Sequence, residues 1–149
     1  MLLLGTAYSQ AQDKVMSMVD ARAAGISFNN LDERYLTAYP RGKQDTSAFP
    51  GMRDSVLQTY RAMLGEMTAY LNSKRFEWGK PKRTFLRIYF DEEGSMDYFF
   101  YRFRDLEEKE EKKMKKLVGK FFKDYTFPME AEGPFFVLAP AILRDTAKK

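Results

Sequence analysis

Thr84-Phe85-Leu86-Arg87-Ile88-Tyr89-Phe90, then Asp91-Glu92-Glu93-Gly94-Ser95, then Met96-Asp97-Tyr98-Phe99-Phe100-Tyr101-Arg102-Phe103 is the stretch that decides the fold. The first segment is β-branched and aromatic, the composition of a strand. Asp91 to Gly94 reads as a turn, with Gly94 suited to a positive φ. The second segment alternates aromatic and polar residues less cleanly, but its rings favour a second strand. Together they read as an antiparallel hairpin.

Helices flank this hairpin. Between Met52 and Ser73, residues Val56, Leu57, Tyr60, Met63, Leu64, Met67, Tyr70 and Leu71 recur at steps of three and four, which predicts one apolar stripe on an amphipathic helix. On the other side, Asp105 to Asp124 places Glu107, Glu108, Glu110 and Glu111 early and Lys112, Lys113, Lys115, Lys116, Lys120 and Lys123 late. That order complements a helix dipole. Its buried side is predicted to hold Leu106, Met114, Leu117, Val118, Phe121 and Phe122. Phe135 to Leu143 reads as a last strand, and Pro140 assigns it to an edge or to a break. The residues beyond 144 read as a disordered tail.

Upstream, residues 13–24 have the composition of a helix ended by Gly25. Residues 25–51 carry Gly25, Asn29-Asn30, Tyr39-Pro40, Arg41-Gly42 and Phe49-Pro50-Gly51, which mark a long irregular connection with at most a helical turn near Leu31–Tyr35. Met1-Leu2-Leu3-Leu4-Gly5-Thr6-Ala7-Tyr8-Ser9-Gln10-Ala11-Gln12 reads as the remnant of a secretory signal peptide. Small residues stand at Ala7 and Ser9, or at Ser9 and Ala11, as a cleavage site requires. A periplasmic or secreted location is the expectation. The alternative is a short apolar arm packed on the core.

The chain of 149 residues has no histidine and no cysteine. Zinc sites on His or Cys, iron–sulfur clusters, thiol nucleophiles, disulfides and His-dependent triads are therefore excluded. Asp91, Glu92, Glu93 and Asp97 are the nearest approach to a catalytic or metal-binding group, and carboxylates at a hairpin turn read more simply as a solvated turn. No Gly-rich phosphate loop or nucleophile elbow accompanies them. The expectation is no enzyme, no cofactor and no metal. Lys and Arg number 25 against 21 Asp and Glu, a modest excess spread along the chain rather than gathered as nucleic-acid affinity requires. The apolar run of about 18 residues that a membrane-spanning helix needs is missing.

From about Phe49 to Leu143 the chain resembles the C-terminal domain of TonB, the periplasmic protein that couples inner-membrane energy to outer-membrane receptors. Phe49-Pro50-Gly51 before a helix, Thr84 to Phe90 with its Asp91-Glu92-Glu93-Gly94 turn, the helix from Asp105-Leu106, and Gly133-Pro134 followed by Ala139-Pro140-Ala141-Ile142-Leu143 carry the resemblance. Phe76-Glu77-Trp78-Gly79-Lys80-Pro81 stands where the family has Tyr-Pro. The expectation is a stand-alone domain, without the anchor and Pro-rich segment of the force-transducing protein. The fold implied is α+β: helix, β-hairpin, helix, β-strand, with a three-stranded antiparallel sheet and an extra N-terminal helix. Residues 13–48 would form that helix and an irregular extension, residues 49–144 the domain, and residues 145–149 the tail.

The resemblance implies a non-catalytic module that engages an envelope protein by strand addition at a sheet edge, the partner being an outer-membrane receptor or a second copy of the chain. The candidate edge is Phe135, Phe136, Val137, Leu138 and Ala139. Arg87, Tyr89, Tyr98, Tyr101 and Arg102 are the candidate exposed surface of the hairpin, because so many rings exceed what a small domain buries. An alternative follows from Arg83, Arg87, Arg102 and Arg104 interleaved with rings: a sheet that binds nucleic acid or an anionic surface.

Overall fold

The computed structural model describes residues 14–39 and 46–146. The signal-peptide remnant expected at residues 1–12 lies outside them. In chain order the elements are β1 (Val15–Ser17), α1 (Met18–Ala23), α2 (Phe28–Arg34), β2 (Leu36–Thr37), α3 (Arg53–Ser73), β3 (Lys82–Phe90), β4 (Met96–Phe103), α4 (Glu108–Lys123) and β5 (Phe135–Leu143).

The three-stranded antiparallel sheet with one extra N-terminal helix is not what forms. The sheet has five strands in the order β1-β4-β3-β5-β2. Its centre, β4-β3-β5, is antiparallel, with Leu86 opposite both Tyr101 and Ala139. Its two outer pairs are parallel: Val15–Ser17 runs beside Phe99–Tyr101, and Leu36–Thr37 beside Phe135–Phe136. Four helices accompany it among the described residues. Strands of two and three residues are too short to show a period, so neither outer strand is visible as sequence pattern. Val15 and Met16, read above as helical, are strand residues because β4 pairs with them. Ser17 then caps α1, its hydroxyl accepting from the Asp20 N–H at 3.0 Å.

Side chains of β3 alternate between two cores. Leu86, Ile88 and Phe90 face α3 and α4, where Val56, Tyr60, Met63, Met67 and Leu71 meet Met114, Leu117, Val118 and Phe122. Tyr89 faces the other way, with Phe100 and Phe136, and is covered by Met18 and Ala21 of α1 and Leu31 of α2. A sheet buried on both faces uses its rings on both sides. That is why β4 shows so blurred an alternation, and why Val19, Met52 and Ile142 are the large apolar side chains left exposed among the described residues, with no ring among them. The aromatic surface expected of this composition is instead a pair of cores.

The hairpin turn depends on Gly94. Its φ is +90°, and a Cβ there would sit 2.9 Å from the Phe127 carbonyl oxygen. The approach is close because the Phe127 N–H donates to the Gly94 carbonyl at 2.9 Å. Next to the turn the register slips, so that Tyr89 opposes Tyr98 but Phe90 opposes Met96. Asp97 is the extra residue of that bulge.

At the C-terminal end, Asp145 accepts from the backbone N–H groups of Trp78 and Gly79 at 2.7 and 2.9 Å, and the Thr146 N–H donates to Asn72 Oδ1 at 2.9 Å. These two residues, assigned above to a disordered tail, tie the end of β5 to the end of α3.

Candidate binding groove

The hairpin residues proposed as one surface are divided by the pleat. Arg87, Tyr89, Tyr98 and Arg102 share the face covered by α1 and α2, while Tyr101 points to the opposite core. Tyr89 is fully buried, and its hydroxyl donates to Asp32 Oδ1 at 2.6 Å. The Arg87 Nη1 donates to both Asp32 oxygens and to the Tyr89 hydroxyl, each at 2.9 Å. Burial opposes the Arg87 charge, but its bonds to Tyr89 and Asp32 outweigh that and raise its pKa. A guanidinium so paired anchors α2 to the sheet and is not offered to a ligand. Tyr35 does the same work nearby, donating to Asp97 Oδ2 at 2.8 Å, the carboxylate that the bulge aims at it. Tyr101 donates to Glu111 of α4 at 2.6 Å. Arg102 alone of the five is exposed, its guanidinium 5.7 Å from the centre of the Phe85 ring.

Asp91 at the turn is equally committed. Asp91 Oδ1 accepts from the N–H groups of Glu93 and Ser95, both at 2.9 Å, which closes its own turn. Among the described residues no group of three or more Asp and Glu side chains is placed to hold a metal ion.

The last strand tells a different story along its length. Phe135 and Val137 point into the α3–α4 core and Phe136 into the other, so their side chains are not surface. At Phe135 and Phe136 the outer edge is also taken: Leu36 donates to the Pro134 carbonyl at 2.8 Å and Ala38 to the Phe136 carbonyl at 3.0 Å. The pairing with β2 stops there. Since Phe136 turns its backbone groups outward, the two-residue period turns those of Leu138, Pro140 and Ile142 outward too. Pro140, which has no N–H, therefore sits where the lost donor leaves the central ladder intact. From Leu138 to Ile142 no described strand borders this edge. The open edge thus begins where the predicted one, Phe135 to Ala139, is ending.

Beside that open edge lies a groove of about 660 Å³ between α3 and the second half of β5. Its walls are Leu57, Leu64, Gly65 and Ala69 on the helix and Ala139 and Ala141 on the strand. Small residues on both walls keep it open, and a Cβ added at Gly65 would meet nothing within 4 Å. Leu57 and Leu64 belong to the flank of the apolar stripe, half-buried because the sheet does not extend beneath them. Tyr39 and Tyr60 also line it, and neither hydroxyl finds a hydrogen-bond partner among the described residues. Burial raises both phenol pKa values. Among the described residues Arg61 and Arg144 supply its charge, and no carboxylate lines it.

No family model, curated protein or solved structure matches this chain. The groove must be read from its own geometry. Sequence reasoning missed its helical wall. Gly65 and Ala69, four apart on the flank of the stripe, were the signal: small residues on a helix flank leave room that large ones would fill.

Among the described residues, no helix is long and apolar enough to cross a membrane.

Proposed function

We propose that this chain is a non-catalytic protein-binding module, exported to the periplasm or secreted, that takes an extended segment of an envelope partner as an added strand on β5. The observation that carries the reading is the stretch Leu138–Ile142, bordered by no described strand, beside an apolar groove under α3. Main-chain bonds to such an edge give affinity, and the groove receives every second side chain of the added strand. About five residues at 3.4 Å each make an edge of roughly 17 Å, enough for a short linear motif. The resemblance to TonB C-terminal domains, whose last strand takes partner segments in this way, agrees with the reading.

Gly65→Leu tests it. The new side chain enters the groove, while replacing a helical glycine raises helix stability by roughly 0.5–1 kcal/mol. Short random segments selected on the wild-type chain from a displayed library are expected to lose binding to this variant, with its melting temperature unchanged or higher. Undiminished binding to a folded G65L protein rules the groove out.

A second reading rests on the uncovered half of the other sheet face. Arg83, Arg102 and Arg104 are exposed there around the half-buried Phe85, and the Arg104 N–H meets the Arg83 carbonyl at 3.3 Å. Such a face suits single-stranded nucleic acid or another polyanion. It requires retardation of a single-stranded oligonucleotide at moderate salt that Arg102→Gln weakens; no retardation removes it.

A further inference from the structure

We infer that the groove is built for a chain end: the free C-terminal carboxylate of an extended peptide, seated at the Tyr39–Tyr60–Arg61 end. This rests on the strand-addition reading and gives it a direction and a partner chemistry. The two ends of the groove differ. Tyr39 directly follows Ala38, whose N–H bonds to Phe136, so it marks the end next to β2. Arg61 belongs to the same end, because it follows Tyr60 in the first half of α3, whose last turn lies by Thr146. Thr146, bonded to Asn72 near the end of α3, marks the other. The helix and β5 therefore run the same way along the groove.

A strand added antiparallel to β5, the more stable pairing, has its C-terminus at the Tyr39 end. Added parallel, it would bring its N-terminal ammonium to Arg61 instead. Arg61 favours a carboxylate at this end and no carboxylate among the described residues lines the groove to receive an ammonium, while Arg144 at the other end would take the carboxylate of a parallel strand only if the rest of that strand's chain could pass β2. The phenols make the same selection. A buried hydroxyl without a partner is costly, and those of Tyr60 and Tyr39, two residues that line the groove at its blocked end, find none among the described residues. Beyond them the edge is occupied by β2, so the incoming strand has to stop there. A chain terminus fits that stop better than a chain that must continue.

The experiment uses a library of random hexapeptides displayed with free C-termini, selected on the full chain. Each hit is then synthesised as the free acid and as the C-terminal amide, and binding is followed by fluorescence anisotropy. The free acid is expected to bind at least tenfold more tightly than the amide, and Arg61→Gln to bring the acid down to the amide's level. Tyr60→Phe is expected to weaken the acid by less. Acid and amide binding alike, both lost in Gly65→Leu, would overturn the carboxylate assignment while leaving strand addition standing. Hits that depend on an internal Asp or Glu would do the same. No hits, or hits indifferent to Gly65→Leu, would overturn both.

Discussion

Tyrosine hydroxyls do much of the joining in this molecule, and six of them are tuned by their surroundings. Burial is the leading cause that raises the pKa of Tyr35, Tyr39, Tyr60, Tyr89, Tyr101 and Tyr125, the last to about 12. Hydrogen bonds to carboxylates add to it where Tyr35 meets Asp97, Tyr89 meets Asp32 and Tyr101 meets Glu111. An ionised phenol cannot donate, so each bond exists only while the proton stays. The folded chain holds these protons more tightly than the unfolded one, whose phenols titrate near 10. Their stabilisation is complete below that value and is lost as pH climbs through the folded values. Of the nine tyrosines, at least these six should lag in a phenolate absorbance titration of the native protein and titrate together in denaturant. The melting temperature should fall with rising pH only above about 10. Six phenols titrating normally in the native state would show that these hydroxyls are not held as described. Little of this was legible beforehand. Tyr89 reads as surface when rings seem in excess, and its partner Asp32 stands in a segment whose fold depends on the sheet.

At the scale of elements, β5 is one strand with two kinds of backbone group. Val137 turns its N–H toward Ile88 in the centre of the sheet, and Leu138 turns its own outward. Proline at these adjacent positions should therefore do opposite things. Leu138→Pro removes an outward donor and is expected to leave a folded protein, by circular dichroism, that has lost its selected peptides. Val137→Pro removes a central ladder bond and is expected to unfold the chain. If both variants folded and bound, β5 would not present the edge. The elements that could be read from sequence were those whose pattern is local. The α3 stripe, the charge order of α4 and the Asp91–Gly94 turn all depend on neighbours in the chain. The strands β1 and β2 depend on Phe99–Tyr101 and Phe135–Phe136, far away in sequence, and carry no signal of their own. Without β2 in view the occupied part of the edge could not be told from the open part, which is why the expected site begins at Phe135 rather than Leu138.

Across the whole molecule, the N-terminal segment is a cover as well as two strands. Between β1 at one side of the sheet and β2 at the other, α1 and α2 cross the face that carries Tyr89, Phe100 and Phe136. Arg87 and Asp32 fasten that cover at 2.9 Å, with both side chains partly shielded from water. Coverage of both faces absorbs the aromatic content that a sheet with one wet face would leave exposed.

The same topology sets an order of assembly. Residues Leu36–Thr37 are made well before the segment that they pair with, Phe135–Phe136. The central strand β3 waits for that segment too. The β2–β5 pair cannot form until β5 has been made, and pairings of such long sequence separation form slowly. The edge of β3 that β5 covers is thus left open until β5 exists. That delay suits the export proposed above, which needs a chain still able to be threaded.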